Sequence, residues 1–310
     1  EGLINAVTWA ESEGLERVIL SGMGRSFAAG ADTKEFDQPA ISPHLPDVVN
    51  RIETSTVPWI AAIHGTALGG GGELALGCRY RIARADATIG FPEVILGLVP
   101  GAGATQRLPR LVGLAEALKL IPTGKTISGK AAMAIGLVNA IDDDPVAAAK
   151  LIDEKILSEA VPLSLMKAGT DETVNYDTAR QIAIRRMRGQ EAPLTAISLL
   201  KTAQTATFDD GMQKERNAFL ALRASSQARA LRHIFFAERA AKKPPKVIET
   251  QKSTLKPLNH VIVIGGGTMG SGIAYAFLNA NIRVTILESD DAGMQLSLIH
   301  ISEPTRLSTI

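Results

Sequence analysis

Ala62-Ile63-His64-Gly65-Thr66-Ala67-Leu68-Gly69-Gly70-Gly71-Gly72-Glu73-Leu74-Ala75-Leu76-Gly77 decides how the rest of the chain is read. An apolar strand over Val57 to Ile63 breaks on four consecutive glycines and resumes as a short apolar helix with a single carboxylate, Glu73. Four glycines are costly in backbone entropy, so the turn implies a close approach to the main chain. A helix starting at about Gly70 presents unpaired N–H groups and the positive end of its dipole there. Those donors suit an oxyanion, and Glu73 sits less than a turn further in, within reach of the same ligand. The competing reading is a turn that only lets a helix pack on a sheet, with Glu73 solvated.

The totals bound the remaining possibilities. With 310 residues there is length for two domains and a sizeable core. Lys and Arg number 33 against 32 Asp and Glu, so net charge implies no basic face for nucleic acid. Aromatics at 4% also argue against base-stacking surfaces. The single cysteine, Cys78, lies in an apolar run and reads as a small core residue of a reducing compartment. No run approaches the roughly 18 apolar residues of a membrane span. Residue 1 is Glu rather than Met, which leaves the true start open.

Upstream of the central turn, residues 3–11 read as a helix, Glu16 to Ser21 as a buried strand and residues 47–56 as a helix. Between them lies Gly22-Met23-Gly24-Arg25-Ser26-Phe27-Ala28-Ala29-Gly30-Ala31-Asp32. Its small side chains let a ligand lie against the backbone, and the N–H near Ala31 offers a second donor. Downstream, Tyr80 to Arg84 and Ala87 to Ile89 read as short strands. Glu93 follows Pro92 among Phe91, Val94, Ile95 and Leu96. Burial there would raise its pKa and suit it to donate a proton; exposure would make it an ordinary surface glutamate. Beside Glu73 it completes a pair with separate acid and base roles.

From Gly101 to about Arg239 the pattern is mostly helical. Ser128 is placed to cap a helix over Gly129–Ile135 that Gly136 ends. Asp142-Asp143-Asp144 before Pro145 reads as a solvated cap rather than a metal site. His233, Phe235 and Phe236 are expected to pack against a neighbouring element rather than a ligand. Ala241 to Lys246 holds two prolines and three lysines and reads as a linker. Beyond it, the strand Val261-Ile262-Val263-Ile264 leads into Gly265-Gly266-Gly267-Thr268-Met269-Gly270, which fits G-x-G-x-x-G and opens a helix. A second strand, Ile282 to Leu287, ends at Glu288, 23 residues after Gly265. Strand, glycine loop, helix, strand and acid make the start of a dinucleotide-binding unit, with Gly265, Gly267 and Gly270 at the cofactor and Glu288 placed for a ribose hydroxyl. About 40 residues cannot complete such a domain. The stretch from Leu296 resembles a translated sequencing adapter, so residues 296–310 are read as a non-native tail and His300 is not a catalytic candidate.

Three motifs in register carry a resemblance: Phe27 to Asp32, Ile63 to Glu73 and Phe91-Pro92-Glu93. Over about residues 1–195 the chain resembles the crotonase (enoyl-CoA hydratase/isomerase) family. With the nucleotide-binding start behind it, the whole looks like the multifunctional fatty-acid β-oxidation family, in which a hydratase/isomerase part precedes an L-3-hydroxyacyl-CoA dehydrogenase part. The implied fold is an α/β spiral of ββα units with C-terminal helices, followed by the start of a Rossmann (doubly wound) domain. The implied division is hydratase/isomerase over 1–195, a helical connection over 196–240, a linker over 241–257 and a partial NAD-binding unit over 258–295.

The resemblance further implies an oxyanion hole from the N–H groups of Ala31 and Gly70, with Ala29, Gly30, Asp32 and Gly69 around the substrate. Glu73 is then the base that activates water and Glu93 the acid at Cα; Glu93 also suits Δ3–Δ2 enoyl isomerisation. It implies acyl-CoA thioesters as substrates, with coenzyme A a part of the substrate, NAD for the dehydrogenase of the longer parent, and no metal. A homo-oligomer or a complex with a thiolase, and a bacterial cytoplasm or a peroxisome, are left as alternatives. The family's first strand and hairpin are missing before Glu1, and the dehydrogenase's catalytic His–Glu pair is not found, so hydration without NADH formation is expected of this chain. The rival readings are another crotonase-type enzyme, such as a hydrolase or decarboxylase, a non-catalytic acyl-CoA-binding fragment, and a plain NAD-dependent oxidoreductase.

Overall fold

The computed structural model describes residues 1–32, 41–169, 174–242, 257–291, 293 and 295. They fall into two units, Glu1–Ala240 and Ala241–Ile310. Most of the expected linker and all of the tail over 296–310 lie outside the described residues.

The first unit is built on two sheets. Strands β1 (Val18–Ser21), β2 (Trp59–Ile63), β4 (Tyr80–Ala83) and β7 (Ala140–Ile141) form a parallel sheet in the order β1-β2-β4-β7. Every residue of β2 is buried. A central parallel strand is covered on both faces, and this accounts for its continuous apolar run. Its expected start at Val57 moves to Trp59. Strands β3 (Thr66–Leu68), β5 (Thr88–Gly90) and β6 (Thr126–Ser128) form a second sheet, β3 parallel to β5 and β5 antiparallel to β6. The chain passes from the first sheet to the second at Gly65, whose φ is +59°. A Cβ there would lie 1.9 Å from the carbonyl oxygen of Arg25, so only glycine fits this corner. The sequence reading ran one strand straight into the glycines; the three-residue β3 intervenes.

Helices α1 (Gly2–Ser12) and α2 (Leu45–Glu53) precede β2, and α3 (Gly70–Gly77) follows β3. The remainder of the unit is mainly helical, as expected. Helices α4 (Ala104–Val112), α5 (Leu114–Leu120), α6 (Gly129–Ala134), α7 (Pro145–Lys150) and α8 (Glu154–Glu159) lead to α9 (Tyr176–Arg186), α10 (Ala192–Thr205), α11 (Phe208–Ala224) and α12 (Ser226–Ala241). The Ser128 hydroxyl accepts from the Ala131 N–H at 3.1 Å and caps α6. Asp144 caps α7 by accepting from Val146 and Ala147 at 3.2 and 3.0 Å. Among the described residues no group of His, Cys, Asp or Glu is arranged to hold a metal. On α12 the buried positions are Ala228 and Arg232, one turn apart. His233 is exposed, and Phe236, although one turn beyond Arg232, is 37% exposed and edge-on to Phe235.

The first unit encloses an ion pair. Arg107 on α4 donates to Glu53 Oε2 from Nε and Nη2 at 3.1 and 2.7 Å, with both side chains almost fully enclosed. It also donates to Asn50 Oδ1 and the Ala102 carbonyl. Cys78 is buried and free, and burial pushes its thiol up to about 12.

The second unit pairs β8 (His260–Ile264) in parallel with β9 (Arg283–Leu287), joined through α13 (Thr268–Asn279). Gly265 carries φ +88°, and a Cβ on Gly270 would lie 1.7 Å from the Gly265 carbonyl oxygen. The third glycine of the motif is thus demanded by the packing of helix on strand. No helix among the described residues is long and apolar enough to cross a membrane.

Candidate active site

The glycine turn wraps one side of a cavity of about 1010 Å³ in the first unit. Phe27 and Ala28 donate to the carbonyls of His64 and Thr66, and Leu68 donates back to Ala28 at 3.0 Å. This pairing carries the small-residue stretch alongside β3 and brings Ala31 to the start of α3. A Cβ on Gly70 would stand 3.8 Å from the Ala31 nitrogen and 2.7 Å from Leu45 Cδ2. Gly70 opens α3, so its N–H has no acceptor within the helix. Gly69, at φ +53°, makes the turn from β3 into α3. Ala29, Gly30, Ala31, Gly69 and Gly70 all line the cavity; Asp32 is exposed and stands outside the lining.

Glu73 reaches the same cavity from the first turn of α3 and is 3% exposed. Its Oε1 accepts from the N–H groups of Ala102 and Ala104, at 2.8 and 3.1 Å. Burial raises its pKa, while those two bonds and the charge of Arg107 oppose the rise.

Glu93 comes from a short 3₁₀ turn, Pro92–Leu96, that Pro92 starts and Gly97 ends at φ +73°. The residue is half-buried, and its Oε2 is buried with no hydrogen-bond partner. A Cβ on Gly69 would lie 3.0 Å from the other oxygen, Oε1. Burial, and then the neighbouring charge of Glu73, hold the Glu93 carboxyl well above the usual carboxylate range. One carboxylate is thus held by donors, and its neighbour keeps one buried oxygen without a partner. Such paired environments push two pKa values apart and separate a base from an acid.

A third carboxylate stands behind the first, and the sequence reading missed it. Glu215 on α11 is fully buried and accepts from the N–H groups of Gly103 and Thr105 at 2.6 and 2.8 Å and from the Thr105 hydroxyl at 2.5 Å. Burial and the charge of Glu73 push it up to about 8 against those bonds. No local signal marks it: Gly211, Glu215 and Leu222 stand out as the buried positions of α11 only once that helix is packed. Helices α11 and α12 also supply cavity wall, including Phe219 and Phe235; Phe235, expected only to pack against a neighbour, faces the cavity.

The family model for enoyl-CoA hydratase/isomerase matches residues 1–220. The chain belongs to the enoyl-CoA hydratase/isomerase family. A second model, for the NAD-binding domain of 3-hydroxyacyl-CoA dehydrogenase, matches residues 260–307. A peroxisomal bifunctional enzyme of Cavia porcellus is 39% identical over 306 residues, covering 95% of this chain and 42% of that protein. A fatty acid oxidation complex subunit alpha of Shewanella baltica is 34% identical over 305 residues, covering 91% of this chain and 42% of that protein. The chain thus spans about 42% of the length of these relatives. The solved enoyl-CoA hydratase/isomerase of Pseudoalteromonas atlantica T6c superposes with a TM-score of 0.54 at 22% identity, over 76% of this chain and 85% of that one, and shares the crotonase-type fold.

Proposed function

We propose that the cavity of the first unit hydrates trans-2-enoyl-CoA thioesters to L-3-hydroxyacyl-CoA. The observation that carries this reading is the unlike pair Glu73 and Glu93 on one cavity with the Ala31 and Gly70 N–H groups. The thioester carbonyl oxygen accepts from those two N–H groups, and each donor is worth about 3 kcal/mol as negative charge grows on that oxygen. Glu73 Oε1 is engaged by Ala102 and Ala104, so proton acceptance falls to its Oε2. Glu73 takes a proton from water, the water oxygen bonds to Cβ, and the Cα=Cβ electrons move to Cα through the enolate. Protonated Glu93 then delivers its proton to Cα. One water is added overall, and exchange with solvent returns both carboxyls to their starting states. Glu93 moving a proton between Cα and Cγ gives Δ3–Δ2 isomerisation at the same cavity.

The chemistry of the second unit suits NAD. Its glycine loop leaves open space beside Gly265 and Gly267, where an added Cβ meets nothing within 4 Å, and the N-terminus of α13 faces a phosphate well. Glu288 holds the loop by accepting from the Gly266 N–H, and it sits where a ribose hydroxyl would donate. NAD bound there would accept hydride from the 3-hydroxyacyl product in a protein as long as the relatives.

Hydration is tested by the loss of enoyl absorbance of crotonyl-CoA. Glu73→Gln is expected to lower kcat by about 10²–10⁴-fold. Turnover unchanged by that substitution contradicts the assignment and favours a hydrolase reading, which release of free coenzyme A would show.

A further inference from the structure

Four consecutive N–H groups, from Ala102 to Thr105, alternate between two carboxylates. Ala102 and Ala104 donate to Glu73 Oε1; Gly103 and Thr105 donate to Glu215 Oε1 and Oε2. The segment leading into α4 is therefore gripped from two sides, by α3 through Glu73 and by α11 through Glu215. Its turn depends on Gly103, at φ +107°. Helix α11 is seated without slack: a Cβ on Gly101 would lie 2.7 Å from the Phe219 ring, and a Cβ on Gly211 would lie 2.1 Å from Gln106 Oε1. Glu215 does not line the cavity, so it has no contact with a ligand there.

We infer that Glu215 is a positioning residue for the hydration step, fixing the Ala102–Thr105 amides so that Ala102 and Ala104 point at Glu73 Oε1 and leave its other oxygen for the water. The inference rests on the reading of Glu73 as the base. The two grips are mutually dependent, because any rotation of the segment that satisfies one carboxylate turns donors away from the other. With Glu215 removed, Gly103 and Thr105 have no buried acceptor, and the segment is free to rotate their N–H groups toward Glu73. Glu73 then loses the arrangement in which a single oxygen carries both bonds. Glu93 has its own 3₁₀ turn and takes no bond from this segment, and the charge of Glu215 is the smallest of the influences on its carboxyl, so its proton chemistry changes little.

Glu215→Gln is the decisive variant, since it keeps size and shape while placing an NH₂ group against an N–H that needs an acceptor. Three readouts are taken on the full chain. Hydration of crotonyl-CoA is expected to lose at least about 10-fold in kcat with KM changed less than about 2-fold. Exchange of the Cα protons of butyryl-CoA in D₂O, which needs Glu93 and not activated water, is expected to change less than about 2-fold. Amide hydrogen exchange at Ala102 and Ala104 is expected to quicken by about 10-fold or more while Ile60 to Ala62 in β2 keep their protection. Parallel loss of hydration and exchange, with β2 also deprotected, makes Glu215 a fold-stabilising residue only and overturns the inference. Unchanged protection at Ala102 and Ala104 overturns it as well. If the unsubstituted chain exchanges Cα protons but does not hydrate, the reading of Glu73 as base has failed, and the amide readout still decides whether Glu215 holds the segment.

Discussion

Two glycine-rich strand-to-helix turns stand in this chain, and they use glycine for opposite reasons. In the first unit the chain itself occupies the space that side chains would need: a Cβ on Gly71 would lie 2.2 Å from the Ala28 carbonyl oxygen, and one on Gly72 would lie 2.8 Å from the Phe91 ring. In the second unit Gly265 and Gly267 face open space, whereas Gly270 is pressed by its own chain. The longer strands ahead of the turns differ likewise. All of β2 is buried, whereas Ile262 and Ile264 on β8 are 57% and 85% exposed. A glycine motif therefore has two parts: what the fold requires, which a packed core reveals, and what a ligand requires, which shows as empty space at the end of a strand.

The contrast can be broken from its packed side first. Arg107→Ala leaves the Glu53 carboxylate buried with the Ser164 N–H at 2.9 Å as its remaining donor. Stripping one partner from such a pair costs about 3–5 kcal/mol, to be read from the urea midpoint of the first unit. Gly71→Ala should cost about 1–3 kcal/mol by the same measurement, because backbone must shift to admit the methyl group. It should lower hydration too, since the Ala28 carbonyl that it displaces holds the stretch leading to Ala31. Gly267→Ala, at φ −61° with no neighbour in range, should change stability by less than about 0.5 kcal/mol. A large loss at Gly267 would show that the second loop too is shaped by its own packing.

Electrostatics sharpen the comparison further. The proposed hydration needs Glu73 ionised and Glu93 protonated, and burial raises both carboxyls, Glu93 further. The rate should therefore rise with pH as Glu73 loses its proton and fall at higher pH as Glu93 loses its own. Both limbs belong to the coupled pair and should lie alkaline of the ordinary carboxylate range near 4.3. A pH profile of crotonyl-CoA turnover with its falling limb in that ordinary range would contradict the buried acid.

Much of this was legible in the sequence because it is local. The four glycines, Glu73 three residues into the helix, Pro92 before Glu93 and the G-x-G-x-x-G after Ile264 each report a turn through composition alone. The short strands β3 and β6 were not legible, since three residues carry too little periodicity and their pairing partners lie far along the chain. Glu215 was hidden for another reason. It stands between Lys214 and Arg216 in a charged helix that reads as solvated, and only the packing of α11 on the start of α4 buries it. The cavity wall from α11 and α12 was hidden in the same way, as a tertiary contact without a local signature.

The central claim is that two carboxylates with unlike surroundings share one cavity and divide one reaction. The most direct measurement is the rate of enoyl absorbance loss from crotonyl-CoA for the chain and for Glu93→Gln, at equal folded concentration. The account predicts turnover by the chain and a fall of about 10²-fold or more in the variant, with crotonyl-CoA binding retained. Equal rates in the two would contradict it, because the proton at Cα would then come from elsewhere.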